Sequence, residues 1–406
     1  MQLTFPREVR LRSKYPSGVL IALFLSMPIF ASSPDVEELR ISKARFANAN
    51  MVTRYQRFAE ELSASLPAAN TKAMRSALVA RIARALWQRA VTDSTTALAD
   101  DRALYWGRLA LRVSLRENLQ RESLESPEYN SELASLLSLL EQHSRGLRDI
   151  HFPENGTLKI LITGFDPFRL DQNVSQSNPS GLAALMLDGK TLNHGAVPAR
   201  IEAATMPVRF EDFDLGIIED FLTPHFRANH LALMVTISMG RSGFDLERFP
   251  GLRRSAIAGD NRNVVTGADS KNPLIPHLGT TLLDGPEFVE FSLPTHSMLR
   301  AIGAWPVVDN RQVRTLERGA FAAKALRELA DQTSVSGSGG GYLSNEISYR
   351  SILLHQRLLA DFPIGHIHTP SVDGYDEAVE RRIVAQILGL LVRAIEASPN
   401  PRQSEH

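Results

Sequence analysis

Residues 158–164 read Leu-Lys-Ile-Leu-Ile-Thr-Gly, a short apolar run with one charge that ends at a glycine. A run of this length and composition is typical of a strand that is buried on both faces in a parallel sheet. Similar runs recur towards the C-terminus, at residues 204–208, 232–238, 333–336 and 365–369. The second half of the chain therefore contains a series of short buried strands.

Helical periodicity separates these strands. It is found in five ranges, namely 181–187, 211–222, 295–302, 346–359 and 376–397. Strands that alternate with helices predict an α/β fold, with an open, twisted, mostly parallel sheet that carries helices on both faces. Ligands of such sheets bind beyond the carboxyl ends of the strands. The loops after Thr163, Ser238, Ser336 and His368 are therefore the places to look for chemistry.

The first half of the chain has a different character. From Pro34 to Ile150 the apolar residues recur every three or four positions, as in the stripe Leu133, Leu136, Leu137 and Leu140. This spacing predicts an all-α segment of about four helices, and its stripes are explained by packing alone. Trp87 and Trp106 are interpreted as core residues of that segment. No catalytic spacing occurs in it, so we expect the acid, base and nucleophile to lie elsewhere.

The N-terminus resembles an export signal. Four basic residues precede Gly18–Ala31, an uncharged apolar stretch of about 14 residues, which is the size of a signal-peptide core and short for a bilayer span of ~20 residues. We predict a signal peptide at residues 1–31 and an exported protein, periplasmic or secreted, with no stable membrane association after cleavage. An uncleaved membrane anchor and a buried core helix remain as alternatives.

Composition excludes several classes of protein. The chain has 406 residues, of which 43% are hydrophobic and 22% charged, as expected for a globular protein of two to three domains. Lys+Arg and Asp+Glu both number 45, so nothing indicates a nucleic-acid partner. Cysteine is absent, which excludes disulfides, thiolate metal sites and a thiol nucleophile.

Cofactor motifs are also missing. Ser336–Gly341 is rich in glycine, but no Gly-Lys-Ser/Thr follows it, and it does not match a dinucleotide fingerprint. Apart from the weak pair His366 and His368, the histidines lack the spacing of metal ligands. We therefore expect neither a cofactor nor a metal.

Several ordered motifs in residues 157–397 resemble the pyroglutamyl peptidase I (pyrrolidone-carboxylate peptidase) family, cysteine peptidases that remove an N-terminal pyroglutamate. The matching segments, in the family's order, are Gly164-Phe-Asp-Pro-Phe168, Asn178-Pro-Ser180, Met206-Pro-Val208, Gly240-Arg241 with Leu246-Glu-Arg248, Asp260-Asn261, Asp284-Gly-Pro286, Leu293-Pro294, Gly341-Tyr-Leu-Ser-Asn345 and Gly365-His-Ile-His-Thr-Pro370. The resemblance implies a phosphorylase/hydrolase-like α/β domain over residues 157–397, preceded by the helical segment 34–150 as a separate domain.

Carried over residue by residue, the resemblance implies a catalytic site of Glu247, Ser344 and His368. The residue types suit this chemistry, because a hydroxyl at a helix N-terminus can be activated by an imidazole that a carboxylate orients. Without the family, Ser344 is more simply a helix cap and Glu247 a solvated loop residue.

The resemblance also implies a substrate pocket. Phe165 and Phe168 match the aromatic pair that holds the pyrrolidone ring, and Asn178 matches a pocket residue, although two aromatics after a strand can be ordinary core and Asn before Pro is a common turn. Ile237 stands where the family has a glutamine that contacts the ring. Tyr342 and Leu343 precede the nucleophile position and are expected to line the pocket.

Departures from the family leave three functions open. Ser344 replaces the family's cysteine, and a serine hydroxyl needs a better aligned base than a thiol does. Ala304–Lys324 is interpreted as an insertion, and an arginine of the family falls near Ile257, with Arg253 and Arg254 close by. The chain is predicted to be an exported hydrolase that removes pyroglutamate from a peptide or acts on a small cyclic amide. The alternatives are an inactive relative that binds peptide ends, and a hydrolase or esterase with another substrate.

Overall fold

The computed structural model describes residues 34–120, 127–153, 156–194, 197–228 and 230–397. The predicted signal peptide, residues 1–31, lies outside the described residues. None of the helices in the described ranges is both long enough and apolar enough to cross a bilayer.

The first part of the described chain is helical throughout. Its elements are α1 (Val36–Leu39), α2 (Ile41–Ala47), α3 (Ala49–Thr53), α4 (Gln56–Ser65), a 3₁₀ turn (Leu66–Ala68), α5 (Lys72–Thr96), α6 (Arg102–Gln120) and α7 (Pro127–Ser144). The Thr71 hydroxyl caps α5 by accepting a hydrogen bond from the backbone N–H of Met74, at 3.1 Å. Trp87 and Trp106 are fully buried, in agreement with their interpretation as core residues.

The division of this segment differs from the prediction of about four helices. The apolar residues Met51, Tyr55, Phe58 and Leu62 have the spacing of one helical face, but they are divided between two helices, because α3 ends at Thr53 and α4 begins at Gln56. Met51 packs in a small cluster with Tyr105 and Trp106, whereas Phe58 and Leu62 belong to the larger core of the helical segment. Periodicity alone does not reveal such a break, since the spacing of apolar residues continues across it.

The second part of the chain alternates between strands and helices. Its helices are α8 (Pro179–Leu187), α9 (Phe210–Asp214), α10 (Ile217–Ala228), α11 (Thr295–Met298), α12 (Leu343–Arg357) and α13 (Glu377–Glu396), with a 3₁₀ turn at Leu326–Leu329. The single helix predicted at 211–222 is divided between α9 and α10. Gly216 adopts a positive φ of 88° at that break, a backbone conformation that other residues rarely take.

The strands are β1 (Leu158–Phe165), β2 (Thr191–His194), β3 (Val197–Met206), β4 (Leu233–Met239), β5 (Phe244–Glu247), β6 (His277–Leu278), β7 (Thr281–Leu282), β8 (Val307–Asn310), β9 (Gln312–Thr315), β10 (Gly319–Ala322), β11 (Ser334–Ser336) and β12 (Ile364–Thr369). Seven of them form one sheet in the order β2-β3-β1-β4-β12-β5-β8. Strands β3, β1, β4 and β12 are mutually parallel, whereas β2 and β5 run antiparallel to β3 and β12. The predicted mostly parallel sheet is confirmed as a mixed sheet with a parallel centre.

The run at 333–336 is not a strand of this sheet, contrary to the prediction. It forms β11, which pairs antiparallel with β9 in a small sheet of order β10-β9-β11. The residues expected to be an insertion, Ala304–Lys324, supply β9 and β10 and also β8, the edge strand of the large sheet. A short apolar run cannot by itself distinguish these two kinds of partner.

The helical segment joins the sheet through a buried layer of charged residues, which we call the ionic layer. Its members are Arg108, Arg112, Arg145, Arg209, Glu141 and Asp166. Asp166 follows β1, and its carboxylate accepts hydrogen bonds from Arg108 at 2.6 Å and from Arg145 at 2.7 Å. Both arginine side chains are at most 2% exposed. The helices are therefore joined to the loop at the carboxyl end of β1.

Candidate active site

Glu247 and His368 form a buried acid–imidazole pair. Glu247 ends β5 and His368 lies near the end of β12, and the antiparallel pairing of these strands brings the two side chains together. His368 Nδ1 lies 2.5 Å from Glu247 Oε1, and Glu247 is 1% exposed. The second carboxylate oxygen, Oε2, accepts a hydrogen bond from the Asn310 amide at 2.9 Å. The carboxylate thus fixes the orientation of the imidazole, as an orienting acid does in a catalytic triad.

Burial affects the pKa of the carboxyl group in this pair. Loss of solvent raises the pKa of Glu247, and the neighbouring His368 offsets part of that rise. The buried carboxylate is therefore stabilised when the imidazole carries a proton. An imidazole in this position can accept a proton from a reacting group, because the positive charge that results is neutralised beside it.

Ser344 lies in the first turn of α12, and its location depends on the glycine run that precedes the helix. Gly340 has a positive φ of 91°, and a Cβ at Gly337 would lie 2.1 Å from the Asn345 side-chain oxygen. The turn therefore requires glycine at both positions. The Ser344 hydroxyl donates a hydrogen bond to the Gly339 carbonyl at 3.2 Å, rather than to the imidazole. Gly339 adjoins the imidazole, since a Cβ built there would lie 3.6 Å from His368 Cε1.

An open pocket lies beside Ser344. It is lined by Phe165, Phe168, Asn178, Val208, Ser238, Met239, Tyr342, Leu343 and Ser344. Five of the six residues expected to bind substrate thus line one pocket, which they share with the expected nucleophile. The pocket is mainly apolar and aromatic, as small-molecule sites commonly are.

Ile237, the sixth expected substrate contact, is not among the lining residues. It is fully buried in the hydrophobic core of the sheet. Side chains alternate between the two faces of a strand, so Ser238 faces away from Ile237 and reaches the pocket instead. Ile257 is 79% exposed, and Arg254 is held by Glu346 and Asp214, so neither lines the pocket.

The structure brings together residues that sequence reasoning did not identify as part of the site. Ser238 lines the pocket, and its hydroxyl lies 2.7 Å from His366 Nε2. Asn310 supports Glu247, as described above. Ser238 ends a predicted strand, and ligands bind beyond strand ends in such sheets, so the sequence could have indicated it. Asn310 lies in the expected insertion, and no sequence pattern indicated a role for it.

Hydrogen bonds to residues outside the pocket fix the position of Asn178. The Asn178 side chain donates to the Asp166 carbonyl at 2.9 Å and accepts from the Ser180 backbone at 3.1 Å, so it caps α8. Its backbone N–H donates to the carboxylate of Asp101, from the helical segment, at 3.0 Å. The neighbouring Ser177 hydroxyl donates to Glu380 of α13.

The protein is thus an α/β protein whose sheet carries a buried acid–histidine pair next to a mainly apolar pocket that contains Ser344. It belongs to the PA0049 family: the family model of the PA0049 C-terminal domain matches residues 159–297 and 310–373, which make up half of the chain. The model of the PA0049 N-terminal domain matches residues 27–137. The unmatched residues 298–309 overlap the insertion expected from Ala304 onwards.

Within the described ranges, no three His, Asp or Glu side chains form a group that could hold a metal ion.

Individual proteins show the same likeness. The chain is 27% identical to the uncharacterized protein PA0049 of Pseudomonas aeruginosa, over 73% of this chain and 70% of that protein. Solved structures of pyrrolidone carboxyl peptidase from Pyrococcus furiosus are also similar. A single-site mutant is 19% identical and covers 59% of this chain and 99% of its own, with a TM-score of 0.41. A structure from the crystallographic work on that enzyme and its cysteine-free mutant is 20% identical to this chain, with the same coverage and a TM-score of 0.40.

Proposed function

We propose that this protein is a pyroglutamyl-peptidase-like hydrolase, which removes an N-terminal pyroglutamate or a related cyclic acyl group through Glu247, Ser344 and His368. The observation that carries the proposal is the buried Glu247–His368 pair beside a pocket that contains Ser344. The ordered motifs that resemble pyroglutamyl peptidase I support the choice of substrate. Because the chain begins with a stretch typical of an export signal, we further propose that it acts in the periplasm or outside the cell.

The proposed reaction passes through an acyl-enzyme. The Ser344 hydroxyl turns from the Gly339 carbonyl towards His368 and attacks the acyl carbon, while the imidazole takes its proton. Glu247 stabilises the imidazolium that forms. The C–N bond then breaks, and the imidazolium returns the proton to the leaving amine. A water molecule, deprotonated by His368, hydrolyses the ester and regenerates the Ser344 hydroxyl.

The hydrogen bond from Ser344 to Gly339 favours a second candidate function. A serine that does not contact the base is not yet activated, which is the arrangement expected of a relative that binds peptide ends without cleaving them. The two candidates differ in whether the hydroxyl ever engages His368 once a ligand is bound.

Hydrolysis of pyroglutamyl, prolyl and simple ester reporters by the purified protein tests the proposal. We expect Ser344→Ala to reduce kcat on the order of 10³-fold or more, because the nucleophile and its base act as a unit. Ser351→Ala is the matched control, since Ser351 lies two turns further along α12 and also donates only to a backbone carbonyl. If wild type and Ser344→Cys are both inert and pyroglutamyl peptides still bind, the binding function is correct instead.

A further inference from the structure

Ser238, which lines the same pocket, contacts a histidine on the neighbouring strand. His366 Nε2 is 2.7 Å from the Ser238 hydroxyl, and His366 Nδ1 is 2.7 Å from the Thr236 hydroxyl. Thr236 and His366 are fully buried, whereas Ser238 lines the pocket. The imidazole therefore connects a pocket-facing hydroxyl to one in the interior of the sheet.

The register of the two strands explains this arrangement. In the parallel pairing of β4 with β12, Thr236 lies opposite His366 and Ser238 lies opposite His368. Residues two apart on a strand face the same side, so the two hydroxyls bracket one imidazole. The contact is built from the interior of the sheet rather than from a loop, which keeps the Ser238 oxygen in a fixed position.

The direction of the hydrogen bonds follows from Thr236. Its hydroxyl has one hydrogen, and the Gly365 carbonyl lies 3.4 Å away as its acceptor. His366 then donates its Nδ1 hydrogen to Thr236 and accepts the Ser238 hydrogen at Nε2. Every hydrogen of the group is used in this arrangement. The Ser238 oxygen keeps its lone pairs, and donation to the imidazole makes it a stronger acceptor.

His366 is poorly suited to act as a general base. Burial and the neighbouring His368 hold the pKa of His366 well below its usual range. The two hydrogen-bond partners of its ring are hydroxyls, which cannot neutralise an imidazolium as Glu247 can for His368. Ser238 is therefore suited to binding rather than to nucleophilic attack.

The other polar groups of the pocket are already engaged. The Asn178 amide is bonded to Asp166 and Ser180, and the Tyr342 hydroxyl donates to the Gly259 carbonyl at 2.9 Å. Among the polar side chains that line the pocket in the described part of the chain, Ser238 and Ser344 have hydroxyl oxygens that can accept a hydrogen bond from a ligand. Ser344 is assigned to the reaction, which leaves Ser238 for recognition.

We propose that Ser238, oriented by His366 and Thr236, accepts a hydrogen bond from the N–H group of a small lactam or amide in this pocket and so determines its specificity. The proposal rests on the proposed function in taking a cyclic amide as the ligand. It explains how the pocket can distinguish a lactam ring from a carbocycle or lactone of the same shape. A site that hydrogen-bonds a ligand N–H disfavours an analogue that lacks it, because the acceptor is left unpaired.

Binding of two rings of equal size tests this role without any turnover. 2-Pyrrolidone carries an N–H group, whereas cyclopentanone has CH₂ in its place. Their dissociation constants are measured by ligand-observed NMR for wild type and Ser238→Ala. We expect wild type to prefer 2-pyrrolidone and Ser238→Ala to reduce that preference about tenfold, the value of one hydrogen bond. Melting curves verify that the variant is folded.

A second variant keeps the test independent of Ser238→Ala. Thr236→Val removes the acceptor for the Nδ1 hydrogen, so the imidazole is expected to reverse its hydrogen bonds and donate to Ser238, which weakens the preference for the N–H ring. Thr205→Val is its control, because Thr205 is also buried but lies in β3, which β1 separates from β4.

The outcomes separate this role from the proposed function. If wild type binds both rings equally or neither, or if the preference survives in Ser238→Ala, the role of Ser238 is wrong, whatever the reporters show. If the preference is present in wild type and lost in Ser238→Ala while every reporter remains intact, Ser238 recognises the ring and the proposed hydrolysis is wrong.

Discussion

Buried carboxyl groups support the pocket in two regions, and these regions differ in what each acid faces. In the first region Glu247 faces His368, which can carry a positive charge. In the second region Asp101 and Glu380 hold the backbone of Asn178 and the hydroxyl of Ser177. One oxygen of each acid, Asp101 Oδ1 and Glu380 Oε2, has no hydrogen-bond partner among the described residues.

Burial raises the pKa of all three acids, but the consequences differ. For Asp101 burial acts first and the nearby charge of Glu380 adds to it, so its pKa lies well above the usual range. Burial raises the pKa of Glu380 to about 8. An acid beside an imidazole can take part in proton transfer, whereas two neighbouring acids are stable only while at least one keeps its proton. The partner, rather than burial, decides whether a buried acid serves chemistry or structure.

The largest effect on activity is expected from Glu247→Gln, which removes the negative charge beside His368 in the first region. Glutamine retains the shape but cannot stabilise an imidazolium, and its amide can force the wrong tautomer on His368. We expect kcat on a reporter that wild type cleaves to fall on the order of 10³–10⁴-fold, with the fold intact. Steady-state kinetics on both proteins measures it.

Glu290→Gln is the control for that variant, because Glu290 lies nearby but pairs with Arg248 at a partly exposed position. A loss of similar size in both variants would mean that general electrostatics, rather than the contact with His368, explains the result.

A smaller effect, on stability, is expected from Glu380→Gln in the second region. The folded-state pKa of Glu380, about 8, exceeds its unfolded value of about 4.5, so its stabilising contribution is complete below pH ~4.5 and is lost as pH rises through about 8. The melting temperature of wild type should therefore decline over this window. Glutamine cannot ionise and can still accept from Ser177, so the decline should become shallower.

Some slope should remain in Glu380→Gln, since burial also raises the pKa of Asp188, to about 7. Glu377→Gln, on the same helix but in a surface ion pair with Arg381, should leave the wild-type profile unchanged. Equal slopes in wild type and Glu380→Gln would show that the acids of the second region do not share a proton.

The smallest effect on activity is expected from Asn310→Ala, which tests whether the hydrogen bond from Asn310 supports Glu247 in the first region. Asn310 donates to Glu247 at 2.9 Å and to the Ser338 carbonyl at 3.0 Å. Without it the carboxylate is less stabilised, so the pair binds its proton more tightly. We expect kcat to fall about tenfold and the acid limb of the pH–rate profile to move to higher pH.

An unchanged acid limb, or a rise in KM alone, would make Asn310 a packing residue rather than a support of Glu247. Gln312→Ala, at an exposed position in neighbouring β9, is the control for general changes in this part of the structure.

Local sequence predicted much of the fold. The cores of β1, β4 and β12 lie where continuous apolar runs were expected, because a strand buried on both faces needs apolar side chains at every position. Phe165, Asn178 and Ser344 were assigned to the site by the family resemblance, and the rule that ligands bind beyond strand ends pointed only to the loops near them.

Contacts across strands could not be predicted in the same way. The bonds from His366 to Ser238 and Thr236 depend on the register between β4 and β12, which neither strand contains alone. The assignment of Ile237 to the pocket failed for a related reason, since one position along β4 exchanges the core face for the pocket face. The ion pairs of Asp166 could not be predicted either, because its arginine partners lie 58 and 21 residues away in the sequence.

The ionic layer restricts how this sequence can change over time. Arg108 and Arg145 meet Asp166 in the interior, and a charge left there without its partner would destabilise the fold by about 3–5 kcal/mol. That is a large share of the stability of an ordinary domain. A single replacement in the layer is therefore poorly tolerated, whereas a compensated change on both sides can persist. Changes in the helical segment and in the loop after β1 are consequently expected to occur together at these positions.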